Sequence, residues 1–283
     1  MTMKRLACLF CLIALAVLPA VAQELAASTS GSATPTKHRR HGLPRSLVPH
    51  EEGYDFNRHV NVSYNTIWAG YAVTGSDFTY VQGSWVVSAV DCTKTPNTDS
   101  SEWVGIDGWS SPTVEQIGTD ADCNGATPYY WVWYEFYPYG SIVINSVSIS
   151  PGNKFSASVT YDGNNYYTVA IKNESTGQSF SKKVKFTGGG SGIPQRNSAE
   201  WIMEMDGNEL SDFGVDPFGE DYTGYLNDIA TDSTVNMGVI KAFGKDVNES
   251  ITTENGTKNS PVTAKPSHLA SDGASFTVTW KRE

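Results

Sequence analysis

The chain has 283 residues, with 20 Lys and Arg against 30 Asp and Glu and a formal net charge of −10. An acidic surface repels nucleic acid, so no nucleic-acid partner is expected. Hydrophobic residues make up 39% of the chain and charged ones only 18%, which sets it apart from disordered chains and leaves enough apolar surface for a core.

The first 22 residues read as a signal peptide: Lys4 and Arg5 precede an apolar run from Leu6 to Leu18, and Ala20-Val21-Ala22 offers a small-residue cleavage site. That run is shorter than the roughly 20 residues a spanning helix needs, so the expected product is secreted, extracellular and without a membrane anchor. Residues 23–57 differ from all that follows. Ala26 to Thr36 is rich in Ser, Thr, Ala and Gly, and a basic block from Lys37 through Arg45 to His50 holds three of the five histidines. Such a composition cannot bury enough surface to fold alone, and it reads as a pro-segment rather than a linker or a nucleic-acid tail. Residues 58–283 are long enough for one domain with a sizeable core. They carry 14 Lys and Arg against 26 Asp and Glu, a net charge of −12. In acid most of those carboxylates are protonated and few bases remain to repel one another, which suits a protein working at low pH.

The body reads as strands throughout. Thr79 to Val87, Tyr129 to Tyr137, Ser141 to Ser150, Lys154 to Tyr161, Tyr166 to Asn173, Ser179 to Phe186 and Ser275 to Trp280 show period-two patterning with β-branched and aromatic residues. Turn sequences such as Ser150-Pro151-Gly152-Asn153 and Asp162-Gly163-Asn164-Asn165 separate them. Short strands at this spacing predict an all-β fold, a sandwich of two antiparallel sheets. Cys8 and Cys11 fall in the leader, so an exported product keeps Cys92 and Cys123, which are expected to form one disulfide.

Several hydrolytic chemistries are missing. Beyond residue 57 only His59 and His268 remain, no GxSxG elbow or HExxH helix occurs, and no Asp-Thr-Gly or Asp-Ser-Gly triplet is present. No metal or other cofactor is expected. Carboxylates and amides are left as catalysts. Two strands embed such groups among large apolar residues: Trp103-Val104-Gly105-Ile106-Asp107-Gly108, followed by Gln116, and Ser198-Ala199-Glu200-Trp201-Ile202-Met203-Glu204. A polar group in such a place costs free energy unless it is hydrogen-bonded or used in chemistry. A glutamate in mild acid stays partly ionised and can take a proton from water. A glutamine amide does not titrate and can donate to an oxyanion at any acid pH.

Taken together, these motifs resemble the glutamic peptidases, or eqolisins. In that family a WVGIDG strand leads to a catalytic glutamine, matched by Gln116, and a catalytic glutamate opens an EW strand, matched by Glu200. Asn65-Thr66-Ile67-Trp68-Ala69-Gly70-Tyr71, Trp133-Tyr134-Glu135-Phe136-Tyr137-Pro138 and Asp212-Phe213-Gly214 follow the family order, with Ile67 inserted in the first. The resemblance implies two large curved sheets in the concanavalin-like style. It also implies a general base at Glu200, an oxyanion donor at Gln116 and substrate-cleft residues at Trp103, Asp107, Asp120 and Glu135. The expected substrates are polypeptides, and the basic segment, as in fungal members, would serve as the chain's own intramolecular inhibitor in a monomer. The segment from Asp216 to Asp228 has no counterpart in the family pattern. A glycoside hydrolase using Glu135 and Glu200 and a carbohydrate-binding module are the rival readings of an aromatic-rich sandwich. The absence of an ExDxxE strand weighs against the first, and a pro-segment without purpose against the second.

Overall fold

The computed structural model describes residues 43–207 and 209–282, so the leader and the basic block up to His41 lie outside the described residues. Alternation of apolar and polar side chains gives each strand one face for a core and one for water or a site. In chain order the strands are β1 (His50–Asp55), β2 (Val60–Asn65), β3 (Trp68–Thr74), β4 (Tyr80–Val86), β5 (Ser101–Ile106), β6 (Val114–Asn124), β7 (Thr127–Tyr137), β8 (Ile142–Val143) and β9 (Lys154–Tyr161). There follow β10 (Tyr166–Asn173), β11 (Ser179–Lys185), β12 (Ser198–Glu204), β13 (Val215–Phe218), β14 (Ile229–Thr231), β15 (Gly238–Val239), β16 (Val247–Thr253), β17 (Val262–Pro266) and β18 (Phe276–Trp280). Among the described residues the helical pieces are one short α-helix, Glu220–Thr223, and two 3-10 segments, Arg45–Leu47 and Ile240–Asp246. None is long and apolar enough to cross a membrane.

The pairings lay out a first sheet in the order β1-β2-β16-β3-β12-β5-β6-β7-β8, antiparallel except for the parallel β2–β16 pair. A second layer runs β11-β10-β9-β4 and continues from β4 to β14-β15 and to β13-β18-β17. β17 also pairs with β16, so backbone bonding passes between the layers. The result is the expected antiparallel β-sandwich.

Its core lies between the layers, where Val104, Ile117 and Trp201 of the first meet Trp85, Phe155 and Val169 of the second. Phe218 and Phe276 stack within it, 4.9 Å between centroids. Each such ring contributes roughly 1.5–3 kcal/mol by leaving water. A polar bridge also crosses the core. Trp85 Nε1 donates to Thr119 Oγ1 at 2.8 Å, and Thr119 donates to Glu102 Oε2 at 2.8 Å. Beside it Ser88 Oγ donates to Asp216 Oδ1 at 3.1 Å. Burial pushes the Glu102 carboxyl up to about 7 and Asp216 well above the usual carboxylate range.

Two segments depart from the sequence expectation. Of Ser141 to Ser150 only Ile142–Val143 is a strand, because Ile144 gives its N–H to Val132 and Ile144 and Val147 turn into the core from a loop. Apolar alternation there anchors a loop rather than a ladder. The end of the basic segment is also structured: His50–Asp55 pairs residue for residue with Val60–Asn65. It does not fold alone, since β2 completes it. Cys92 and Cys123 form the expected disulfide, with Cα atoms 5.3 Å apart, and it ties the approach to β5 to the end of β6.

Candidate active site

Cross-strand register assembles the site on the face of the first sheet that turns away from the interlayer core. Glu135, Gln116, Gly105, Glu200 and Ala72 are successive partners across β7, β6, β5, β12 and β3, so their side-chain positions share one face. The next row reads Trp133, Gly118, Trp103, Ile202 and Gly70, and the one after it Trp131, Asp120, Ser101, Glu204 and Trp68. Gln116 and Glu200 therefore stand on either side of Gly105, with backbones roughly 10 Å apart at the usual strand spacing. Gly105 keeps the space between them open. A Cβ there would lie 2.9 Å from Trp103 Cζ3 and 3.2 Å from Gln116 Cβ.

Gln116 is fully buried and its Nε2 donates to Glu135 Oε2 at 3.2 Å, which fixes the amide and leaves Oε1 without a partner. Glu200 is also fully buried. Burial pushes its carboxyl well above the usual range, Asp107 pushes the same way, and Ser198, Arg45 and the Trp109 N–H only partly offset them.

The structure brings together Gln116, Glu200 and Glu135, and it places Trp103 beside them with Nε1 donating to Glu204 Oε2 at 2.8 Å and its ring edge-on to Trp68. Asp120 lies two rows along the face from the dyad, buried among Asp122, Asp206 and Asp99, and burial followed by those charges raises its carboxyl well above the usual range. Asp107 is placed differently from a cleft residue. Its Oδ2 accepts the Gln195 and Arg196 N–H groups at 2.9 and 2.8 Å, and Oδ1 accepts Asn197 N–H at 3.0 Å. It holds the loop that leads into β12 and has no exposed surface.

Sequence reasoning took Arg45 only as part of the basic block and passed over Trp109. Arg45 is only 3% exposed and lies over the Trp109 ring, 3.8 Å from its centroid. Its guanidinium pairs with Glu52 and is felt by Glu200. Ser46 N–H donates to Gly108 O at 3.3 Å, Ser46 Oγ to Ser111 O at 2.8 Å, and Val48 packs on the Trp68, Trp103 and Trp133 cluster. Residues 44–48 thus lie across the face that carries the dyad. An arginine in a basic block gives no sequence signal of such burial. Among the described residues no group of three or more His, Cys, Asp and Glu is placed to hold a metal ion.

Residues 66–266 match the model of the Peptidase A4 family. Aspergillopepsin-2 of Aspergillus niger is 27% identical over 190 residues, which cover 59% of this chain and 67% of its own length. Scytalidopepsin B of Scytalidium lignicola is 32% identical over 163 residues, 56% of this chain and 60% of its own length. Scytalido-glutamic peptidase, solved with a transition state analogue inhibitor, has a TM-score of 0.61 at 22% identity, covering 76% of this chain and 98% of that one. A complex of an eqolisin with the tripeptide Ala-Ile-His has a TM-score of 0.59 at 23% identity over the same shares. These two structures share the fold.

Proposed function

Since the match over residues 66–266 makes this chain a member of the Peptidase A4, or eqolisin, family, we propose that it is a secreted acid endopeptidase working through Gln116 and Glu200. The observation that carries this reading is the placement of an amide donor and a carboxyl on either side of a glycine in one sheet face. Once the face is open to solvent, Glu200 returns toward an ordinary carboxyl and ionises in mild acid. Its carboxylate takes a proton from water as the water oxygen attacks the scissile carbonyl carbon. The carbonyl π pair moves onto oxygen, where the Gln116 N–H receives it. The C–N bond then breaks, and the proton held by Glu200 passes to the leaving amine. Glu135 orients the Gln116 amide, and neither a metal nor a covalent intermediate enters the sequence of steps.

The covered face supports a second part of the proposal, that residues up to about 57 are an intramolecular inhibitor. Arg45 and Val48 occupy the ground a substrate would need, and they keep Glu200 inaccessible. A cut in the turn around Phe56, which is 80% exposed, would sever them from the body. The carbohydrate readings are not favoured by a site in which Glu135 is engaged by Gln116. The purified, acid-treated protein should hydrolyse casein at low pH and keep that activity in the presence of pepstatin and of a strong chelator. Hydrolysis of oligosaccharides in place of casein, or full inhibition by either reagent, would overturn the assignment.

A further inference from the structure

A cleft of about 540 Å³, a size usual for ligand sites, opens between the β1–β2 turn, the 3-10 segment Ile240–Asp246 and the loop that follows β17. Its apolar lining includes Val60, Tyr71, Val247 and Leu269, all packed on the interlayer core. It therefore lies on the other side of the first sheet from Gln116 and Glu200. Its basic lining is Arg58, His59, Lys241, Lys245 and His268, and among the described residues no Asp or Glu lines it. The body of net charge −12 has 14 Lys and Arg and two histidines, yet three of those cations and both histidines gather here. Arg58 is already neutralised: its Nε donates to Asp55 Oδ2 at 2.6 Å and its Nη1 to the buried Glu249. Lys241 and Lys245 are exposed, and among the described residues neither has an ion-pair partner. Their backbone is fixed, since Lys241 N–H donates to Gly273 O at 2.9 Å and Lys245 O accepts from Asn61 Nδ2 at 2.9 Å. Like charges held together this way repel unless an anion joins them.

We propose that this cleft binds a tetrahedral oxyanion, a phosphate or sulfate group, held by Lys241 and Lys245 with His59 and His268 as further donors. The four residues come from the turn, the 3-10 segment and the following loop, so they approach a ligand from three elements. Such a set suits an anion with oxygens pointing in several directions. A planar carboxylate is better matched by a guanidinium fork, and the guanidinium present is already committed to Asp55 and Glu249. A lysine ammonium acts on phosphate as a point charge and imposes no plane on it. A cleft lined by one sign of charge also focuses the field and concentrates counter-ions, here against the sign of the surrounding body.

The test is calorimetric titration of the full-length protein with inorganic phosphate, inorganic sulfate and acetate at matched ionic strength. Phosphate or sulfate should bind saturably, one ion per chain, with Kd of about 1 mM or tighter. Acetate should bind at least about tenfold more weakly. A preference between phosphate and sulfate identifies which of the two groups the cleft takes. Lys241→Gln with Lys245→Gln, at two exposed positions, should weaken binding about tenfold or more. If that double variant does not fold, His268→Gln takes its place, with a loss of about threefold expected. No saturable binding of either oxyanion, acetate bound as well as they are, or an affinity unchanged in the variant would overturn the proposal. The readout does not pass through peptide hydrolysis, so it stands or fails separately from the roles proposed for Gln116 and Glu200.

Discussion

At the scale of single residues, the proposed dyad depends on a side chain that is absent. Gly105 leaves the gap in which water and a scissile carbonyl would meet Gln116 and Glu200, and an added methyl group would press on Trp103 and on Gln116 itself. Gly105→Ala should therefore reduce kcat strongly while costing about 1–3 kcal/mol of stability through overpacking. Thermal unfolding and peptide hydrolysis on one preparation measure both effects. Gln116→Ala removes the proposed oxyanion donor and should cost about 10²–10³ in kcat. Glu200→Gln should leave no more than that residual activity, with the near-ultraviolet circular dichroism of the wild type retained in both. A correctly processed Gln116→Ala enzyme keeping more than a tenth of wild-type turnover would remove the glutamine from the mechanism. Gln116 and Glu200 were legible because their motifs carry them. The burial of Glu115 was not, since a carboxyl inside a strand pattern looks the same whether it faces solvent or the core.

The elements tell a similar story. Six of the seven strands read from alternation are present nearly to the residue, because turn sequences bound them on both sides. The exception, Ser141 to Ser150, shows that apolar periodicity reports burial and not ladder bonding. β1 lay hidden in a segment read as unable to fold alone, where its pattern is masked by Glu51 and Glu52 and its partner is needed to define it. The 3-10 segment Arg45–Leu47 is the element that separates a silent from an active form in the proposed function. On that proposal the body of net charge −12 would attract the basic block near neutral pH, and protonation of cleft carboxylates would weaken that attraction. Precursor held at neutral pH should stay full-length and inactive, and on acidification it should shorten near Phe56 to Val60. Gel electrophoresis with N-terminal sequencing follows the cut. Arg45→Ala, which loses the contact with Trp109, should shorten sooner at the same pH. A full-length precursor already fully active in acid would show that the segment does not inhibit.

Across the whole molecule, burial of carboxyls sets a pH preference. Glu102, Glu115, Asp120, Glu200, Glu204, Asp216 and Asp228 are all raised, chiefly by burial, with Glu102 at about 7. A group raised in the folded state binds its proton more tightly there than in the unfolded chain. Its contribution to stability is fully present below the ordinary carboxyl range and is lost as pH rises through the folded value, at about 1.4 kcal/mol per pH unit for each group in that interval. Asp55, Asp91, Asp162, Glu174 and Asp272 are lowered and act in the opposite sense, but they are largely solvent-screened and weigh less. The melting temperature should therefore be highest in mild acid and fall as pH rises from the ordinary carboxyl range through about 7. A melting temperature flat from pH 4 to pH 8 would contradict this. The composition suggested acid tolerance from surface charge alone; the larger cause lies inside, where no count of acids distinguishes a buried carboxyl from an exposed one.

The pairing of β1 with β2 has a consequence for how such a chain would come into use. Cutting the turn at residues 56–59 breaks the covalent link but leaves a six-residue ladder intact, and with it Arg45 against Trp109. The cut product would then be two chains held by hydrogen bonds and one buried guanidinium, and it would separate by dissociation. Activation in that case would depend on dilution: a concentrated preparation would stay silent after cleavage, and activity would appear as the protein is diluted. The lag before full activity should shorten as the cleaved protein is diluted, and adding back a peptide of residues 43–57 should restore it.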